Sequence, residues 1–218
     1  MTEDFDQWLR WAFDHPAAHG VEKPWYFAPG AQQWDAERDP RLTLAFVTRL
    51  FSEPEVLIGR FTPDQIGQGL WLLADPSCSS HLLALVDPSI EWAARKEAIE
   101  SIAILYERLF QKVCARQLSH LAASSQSTNL ANRICYMFWE VCPLGPRGDA
   151  AREPDLACLD VMRRTLAIPH CACQEGALHG LAHWSASYPA IVKNAIAHFL
   201  AEPDPLAPRE LLLYAKRQ

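Results

Sequence analysis

Apolar residues recur along this chain at steps of three and four, and hardly anywhere at the step of two that marks a strand. Phe5, Trp8, Leu9, Ala12 and Phe13 share one helical face behind a cap at Thr2, and Pro16 stops that run. From His15 to Pro40 the period is lost in a stretch rich in proline and aromatics, HPAAHGVEKPWYFAPG. It is expected to be irregular and packed by Trp25, Tyr26 and Phe27. A helix returns over Arg41–Phe51 and ends before Pro54.

FTPDQIGQGLWLL holds the clearest helix start. Thr62 suits the N-cap, Pro63 the first turn, and Gln65 the reciprocal position of a capping box. Ile66, Leu70 and Leu73 face inward until Asp75-Pro76 ends the helix. After the short apolar HLLALV, Asp87-Pro88 opens the longest periodic segment, with Ile99, Ile102, Tyr106, Leu109, Phe110 and Val113 as its stripe. The polar LAASSQST, from Leu121 to Thr128, is expected to be a linker. Further helices are expected over Asn129–Val141, Asp155–Ala167, Cys173–Trp184 and Pro189–Leu200, with a short one near Pro208–Lys216. The fold class is all-α: one domain over 1–218, less regular over 1–60.

SASY, between Cys173–Trp184 and Pro189–Leu200, is too short for anything except an antiparallel pair. Asn129–Val141 and Asp155–Ala167 are expected to form the pair before it. Such pairs bury their remaining apolar residues by stacking. QEGALHGLAHW, the turn and PAIVKNAIAHFL together resemble a HEAT repeat, with Ala177, Leu178 and Leu181 matching its first helix and Val192, Ile196 and Leu200 its second. The resemblance implies an ARM/HEAT-like right-handed α-superhelix whose paired part spans 128–201, and a role in presenting surfaces to partners. The arginine common early in the first HEAT helix is absent. FTPDQIGQGLWLL with ALHGLAHW is also similar to uncharacterised bacterial proteins of this size, which implies no activity.

Composition narrows the function classes. Half of the residues are apolar and 21% are charged, as in globular proteins. No apolar run reaches the length of a membrane span, and the acidic start MTEDFDQWLR lacks the basic and apolar parts of a signal peptide. Seven cysteines, an odd number, do not read as a secreted disulfide framework, so a cytoplasmic protein with reduced thiols is expected. The net charge is −6, and residues 1–64 carry eleven acids against six bases. Nucleic acid is disfavoured, because phosphate binding needs a basic face. A protein partner, basic enough to meet the acidic N-terminal third, is favoured, without catalysis.

CACQEGALHGLAHW concentrates the candidate chemistry. On a helical wheel Glu175, His179 and His183 form a stripe opposite Cys173, Ala177, Leu178, Leu181 and Trp184. His179 and His183 have the four-residue spacing that lets two imidazoles reach one ion, but Gly180 stands where a catalytic zinc motif wants glutamate. Glu175 and His183 are about 12 Å apart along the helix, so they cannot share an ion. With the next helix antiparallel, a Glu175/His179/His198 set is conceivable. Glu175, His179, His183 and His198 are therefore binding candidates, with no metal or cofactor assigned, and a metal-assisted hydrolase at the His179/His183 helix is the alternative function. Cys173 beside His170 has the makings of a nucleophile, but its place on the apolar face favours an inert core thiol. Ser79, Ser80 and His81 read as a capped helix start, and Gly67 and Gly69 as residues inside a helix rather than a phosphate loop.

Overall fold

The computed structural model describes residues 2–20, 22–121, 129–148 and 152–218. The side chain of Thr2 and residues 122–128 of the expected linker lie outside that description. All regular structure among the described residues is helical, with no strand.

Helix α1 is Thr2–Phe13, α2 Pro40–Ser52 and α3 Pro63–Ala74. Asp39 caps α2 by accepting from the Leu42 amide at 3.0 Å. The capping box of α3 is complete: the Gln65 amide donates to Thr62 Oγ1 at 3.2 Å, and the Thr62 amide donates to Gln65 Oε1 at 3.0 Å. Helix α4, Trp92–Leu105, runs through a π-helical turn at Tyr106–Phe110 into α5, Gln111–Val113. The remaining helices are α6 (Leu130–Val141), α7 (Arg152–Leu166), α8 (Cys171–Trp184), α9 (Pro189–Ala201) and α10 (Arg209–Ala215). HLLALV forms a 3-10 turn at His81–Leu85, with no cap from the Ser80 side chain.

The helices sort into two rows. In one, α1, α3, α6 and α8 lie side by side in that order; in the other, α2, α4, α7 and α9 do. A single buried core runs between them, from Phe5 to Ala215, with Trp8, Tyr106, Phe138 and Trp184 among its largest members. The expected direct pairing of α6 with α7 is replaced by another neighbourhood: α8 packs against both, while α6 and α7 scarcely touch. The cause is the composition of α8. Its small and apolar residues leave it buried on nearly every side, with His183 its only fully exposed member.

Within the first row, neighbours run parallel. Gly67 of α3 meets the backbone of Leu130 and Ala131, and Trp71, one turn on, meets Arg133. Gly176 of α8 meets Cys135 of α6, and Gly180, one turn on, meets Trp139. In the N-terminal stretch, Tyr26 is buried as expected, but Phe27 is only partly packed: its ring meets that of Tyr26 edge-on at 4.8 Å, and 52% of its surface is exposed.

Candidate metal site on α6 and α8

The site begins with two glycines. A Cβ on Gly176 would stand 2.3 Å from the Cys135 carbonyl oxygen, and one on Gly180 would stand 2.7 Å from Met162 Sδ and 2.8 Å from the Trp139 ring. Only glycine lets α8 lie this close to α6, and that approach places the side chains of Tyr136 and Glu140 beside His179 and His183.

There, three ligand atoms converge. His179 Nε2 lies 2.8 Å from Glu140 Oε2, His183 Nε2 lies 3.3 Å from His179 Nε2, and His183 Nε2 lies 3.7 Å from Glu140 Oε2. Among the described residues, this is the one set of three or more such ligands gathered within 4.8 Å. An imidazole nitrogen has a single in-plane site, so His179 Nε2 either donates or accepts. One proton there joins two of the three atoms and leaves the third, on half-exposed His183, to solvent. The three atoms lie close enough together to be shared by one cation. With mutual spacings of 2.8 to 3.7 Å, Glu140, His179 and His183 would be the residues to hold an ion such as zinc.

The electrostatics favour ligand rather than acid. Burial holds the His179 imidazole below its ordinary pKa; the Glu140 contact opposes this and His183 reinforces it. The ring is thus neutral at neutral pH, the form that coordinates a metal. It is oriented by Tyr136, which stacks on it at a centroid distance of 4.2 Å. His120 stacks on the same tyrosine at 5.4 Å. Glu140 and His183 remain about half exposed, so the site opens to solvent on one side.

The other sequence candidates lie elsewhere. Glu175 is wholly buried and serves as an anchor: its carboxylate accepts from the amides of Ser119, His120 and Leu121, the last two at 3.0 and 2.9 Å. His198 is exposed on α9, and no Glu175/His179/His198 set forms. Glu140 carries no local mark in the sequence: an antiparallel α9 would bring His198 toward His179, whereas the residue beside His179 comes from the parallel α6. The Gly176/Gly180 edge beside the histidines does predict a closely packed helix that the histidines bond to, and α6 is that helix.

Cys173 is fully buried in the core, as its place on the apolar face implies. Hydrogen bonding from Cys135 draws its thiol below the ordinary value, with His170 adding to the effect, while Cys135 itself is pushed far up by burial. With neither thiol exposed, no substrate reaches them.

A groove of about 720 Å³ adjoins the ligand cluster. Tyr136 and His120 form part of its wall, together with Arg133, Trp71, Tyr26 and Phe27. Tyr136 therefore belongs both to the groove and to the support of His179. No protein-family model matches the chain, and neither does any curated protein or solved structure.

Proposed function

We propose that Glu140, His179 and His183 bind one divalent transition-metal ion, and that the ion serves hydrolytic chemistry at the open side of the site. The gathering of three potential ligand atoms from two helices within 4.8 Å of one another carries this reading. Two imidazoles and one carboxylate suit zinc and its neighbours rather than magnesium or calcium. Three protein ligands leave room for water, which a bound ion of this kind makes acidic and nucleophilic near neutral pH. Titration with cobalt(II) tests the reading: one equivalent should develop the visible absorption of a low-coordinate site, and His183→Ala should abolish it. A flat spectrum in the wild-type protein would remove the metal from the proposal.

The architecture belongs, in this reading, with the ARM/HEAT-like α-superhelices. Its support is the alternation of successive helices between two rows and the short α8–α9 connection.

A second reading, docking of a protein partner without catalysis, draws on Ile191, Leu206 and Leu213. These are large apolar side chains left exposed in the C-terminal part, Leu206 by 77%. The acidic N-terminal third would suit a basic partner. Leu206→Glu with Leu213→Glu should then lose a complex that the wild-type chain forms in its native extract; an unchanged complex would contradict this surface.

A further inference from the structure

Arg133 enters the groove beside the metal ligands with its guanidinium 5.0 Å from the centre of the Trp71 ring and no carboxylate partner among the described residues. That isolation is selective. The other charged groups nearby are engaged: Glu22 accepts from the His19 amide at 3.2 Å, Asp64 from the Leu130 amide at 2.7 Å, and Asp75 from Trp71 Nε1 at 3.2 Å. Gln68, which also lines the groove, is spent on the Ala18 amide and the Pro16 carbonyl. Among the described residues that line the groove, Arg133 is the one arginine or lysine, with its planar fork backed by an indole, an arrangement suited to a planar or tetrahedral oxyanion.

The walls specify the rest of the occupant. Tyr26, Trp71 and Tyr136 present aromatic surface, and Phe27 lines the same groove while 52% exposed. A phenylalanine held outward at the rim of a groove has no core to fill and is well placed to close over a flat apolar body.

We infer that the groove binds an aromatic organic oxyanion, a carboxylate or a phosphate ester, whose charged group pairs with Arg133 and whose ring packs against Trp71, Tyr136 and Phe27. Arg133 and Glu140 lie seven residues apart on α6, about 10 Å of helix rise, with Tyr136 between them. The far end of an elongated ligand held by Arg133 would therefore point toward the metal ligands. That the anion is the substrate rests on the metal reading; that it binds does not.

The test uses metal-free full-length protein and two probes, benzoate and phenylphosphonate, with dissociation constants measured by ligand-observed NMR. At least one should bind, and the stronger of the two assigns the carboxylate or the phosphate class. Arg133→Met should weaken that probe about tenfold or more, as expected for loss of a charge-assisted pair, and Phe27→Ala should weaken it by a smaller factor. Arg163→Met, which removes a cation on α7 that pairs with Asp160 and does not line the groove, should leave both constants within about twofold of wild type. Binding of neither probe, or equal binding by wild type and Arg133→Met, overturns the inference whatever the metal experiments give. Loss of metal uptake with the Arg133 dependence intact would instead overturn only the metal reading.

Discussion

Gly176 faces the carbonyl oxygen of Cys135 so closely that a methyl group on it would stand 2.3 Å away. That oxygen is also held by the Tyr106 hydroxyl, which donates to it at 2.9 Å. It cannot retreat without breaking a buried hydrogen bond, so the α6–α8 spacing is set by the absence of a side chain at position 176.

Substitution at the two glycines should therefore oppose helix propensity. Alanine favours a helix over glycine by about 1 kcal/mol, but overpacking a rigid contact costs about 1–3 kcal/mol. Gly176→Ala meets backbone and should lower the thermal midpoint. Gly180→Ala meets the flexible end of Met162 as well as the Trp139 ring, and should cost less. Higher midpoints in both variants would mean that the helices separate freely.

Glu175 should behave as a structural anchor. Its two oxygens accept three backbone N–H groups, whereas glutamine offers one oxygen and turns an NH2 toward donors. Glu175→Gln should destabilise the fold by about 1–3 kcal/mol, the cost of buried donors left without acceptors. Amide hydrogen exchange at Ser119, His120 and Leu121 should speed up in the variant; unchanged protection there would contradict the anchoring role.

His81 gives the stability a pH dependence. Ser79 Oγ donates to the Leu72 carbonyl at 2.6 Å and so accepts from His81 Nδ1, while His81 Nε2 accepts from Trp8 Nε1 at 3.0 Å. Both ring nitrogens are used by the neutral imidazole, and burial pulls its pKa down to about 4. Between about 4 and the ordinary value of about 6.5 the unfolded chain takes up a proton that the folded chain refuses. This contribution is therefore complete above about pH 6.5 and is lost as pH falls toward 4, by up to about 3 kcal/mol in all. Urea denaturation of the wild-type protein should show that loss between pH 7.5 and 4.5, and His81→Gln should show much less of it. Parallel curves for the two proteins would contradict the assignment.

The helices were legible in the sequence where their ends carry local chemistry. Thr62, Pro63 and Gln65 form the capping box that their order implies, and the apolar stripes are buried. The histidine pair was legible for the same reason, since spacing within one helix fixes which side chains meet. Glu140 was not, because its place depends on α8 packing beside α6 rather than beside its chain neighbour alone, and no local pattern encodes that choice except the two glycines. The burial of Glu175 was also hidden: a wheel places its charge on the polar stripe, and the amides that receive it come from Ser119–Leu121, more than fifty residues away in the chain. Phe27 misled in the opposite sense, its apolar character suggesting packing where the backbone turns it outward.

The central claim is that Glu140, His179 and His183 hold a metal together, and zinc-binding calorimetry on chelator-stripped protein tests it most directly. The wild-type chain should take up one zinc ion at about pH 7. His179→Ala, His183→Ala and Glu140→Gln should each weaken uptake at least about tenfold, as expected for loss of a direct ligand, while His198→Ala leaves it unchanged. Binding should also weaken as pH falls, because protons compete with the ion for the ligand atoms. Absence of stoichiometric uptake by the wild-type protein, or uptake indifferent to Glu140→Gln, would contradict the account.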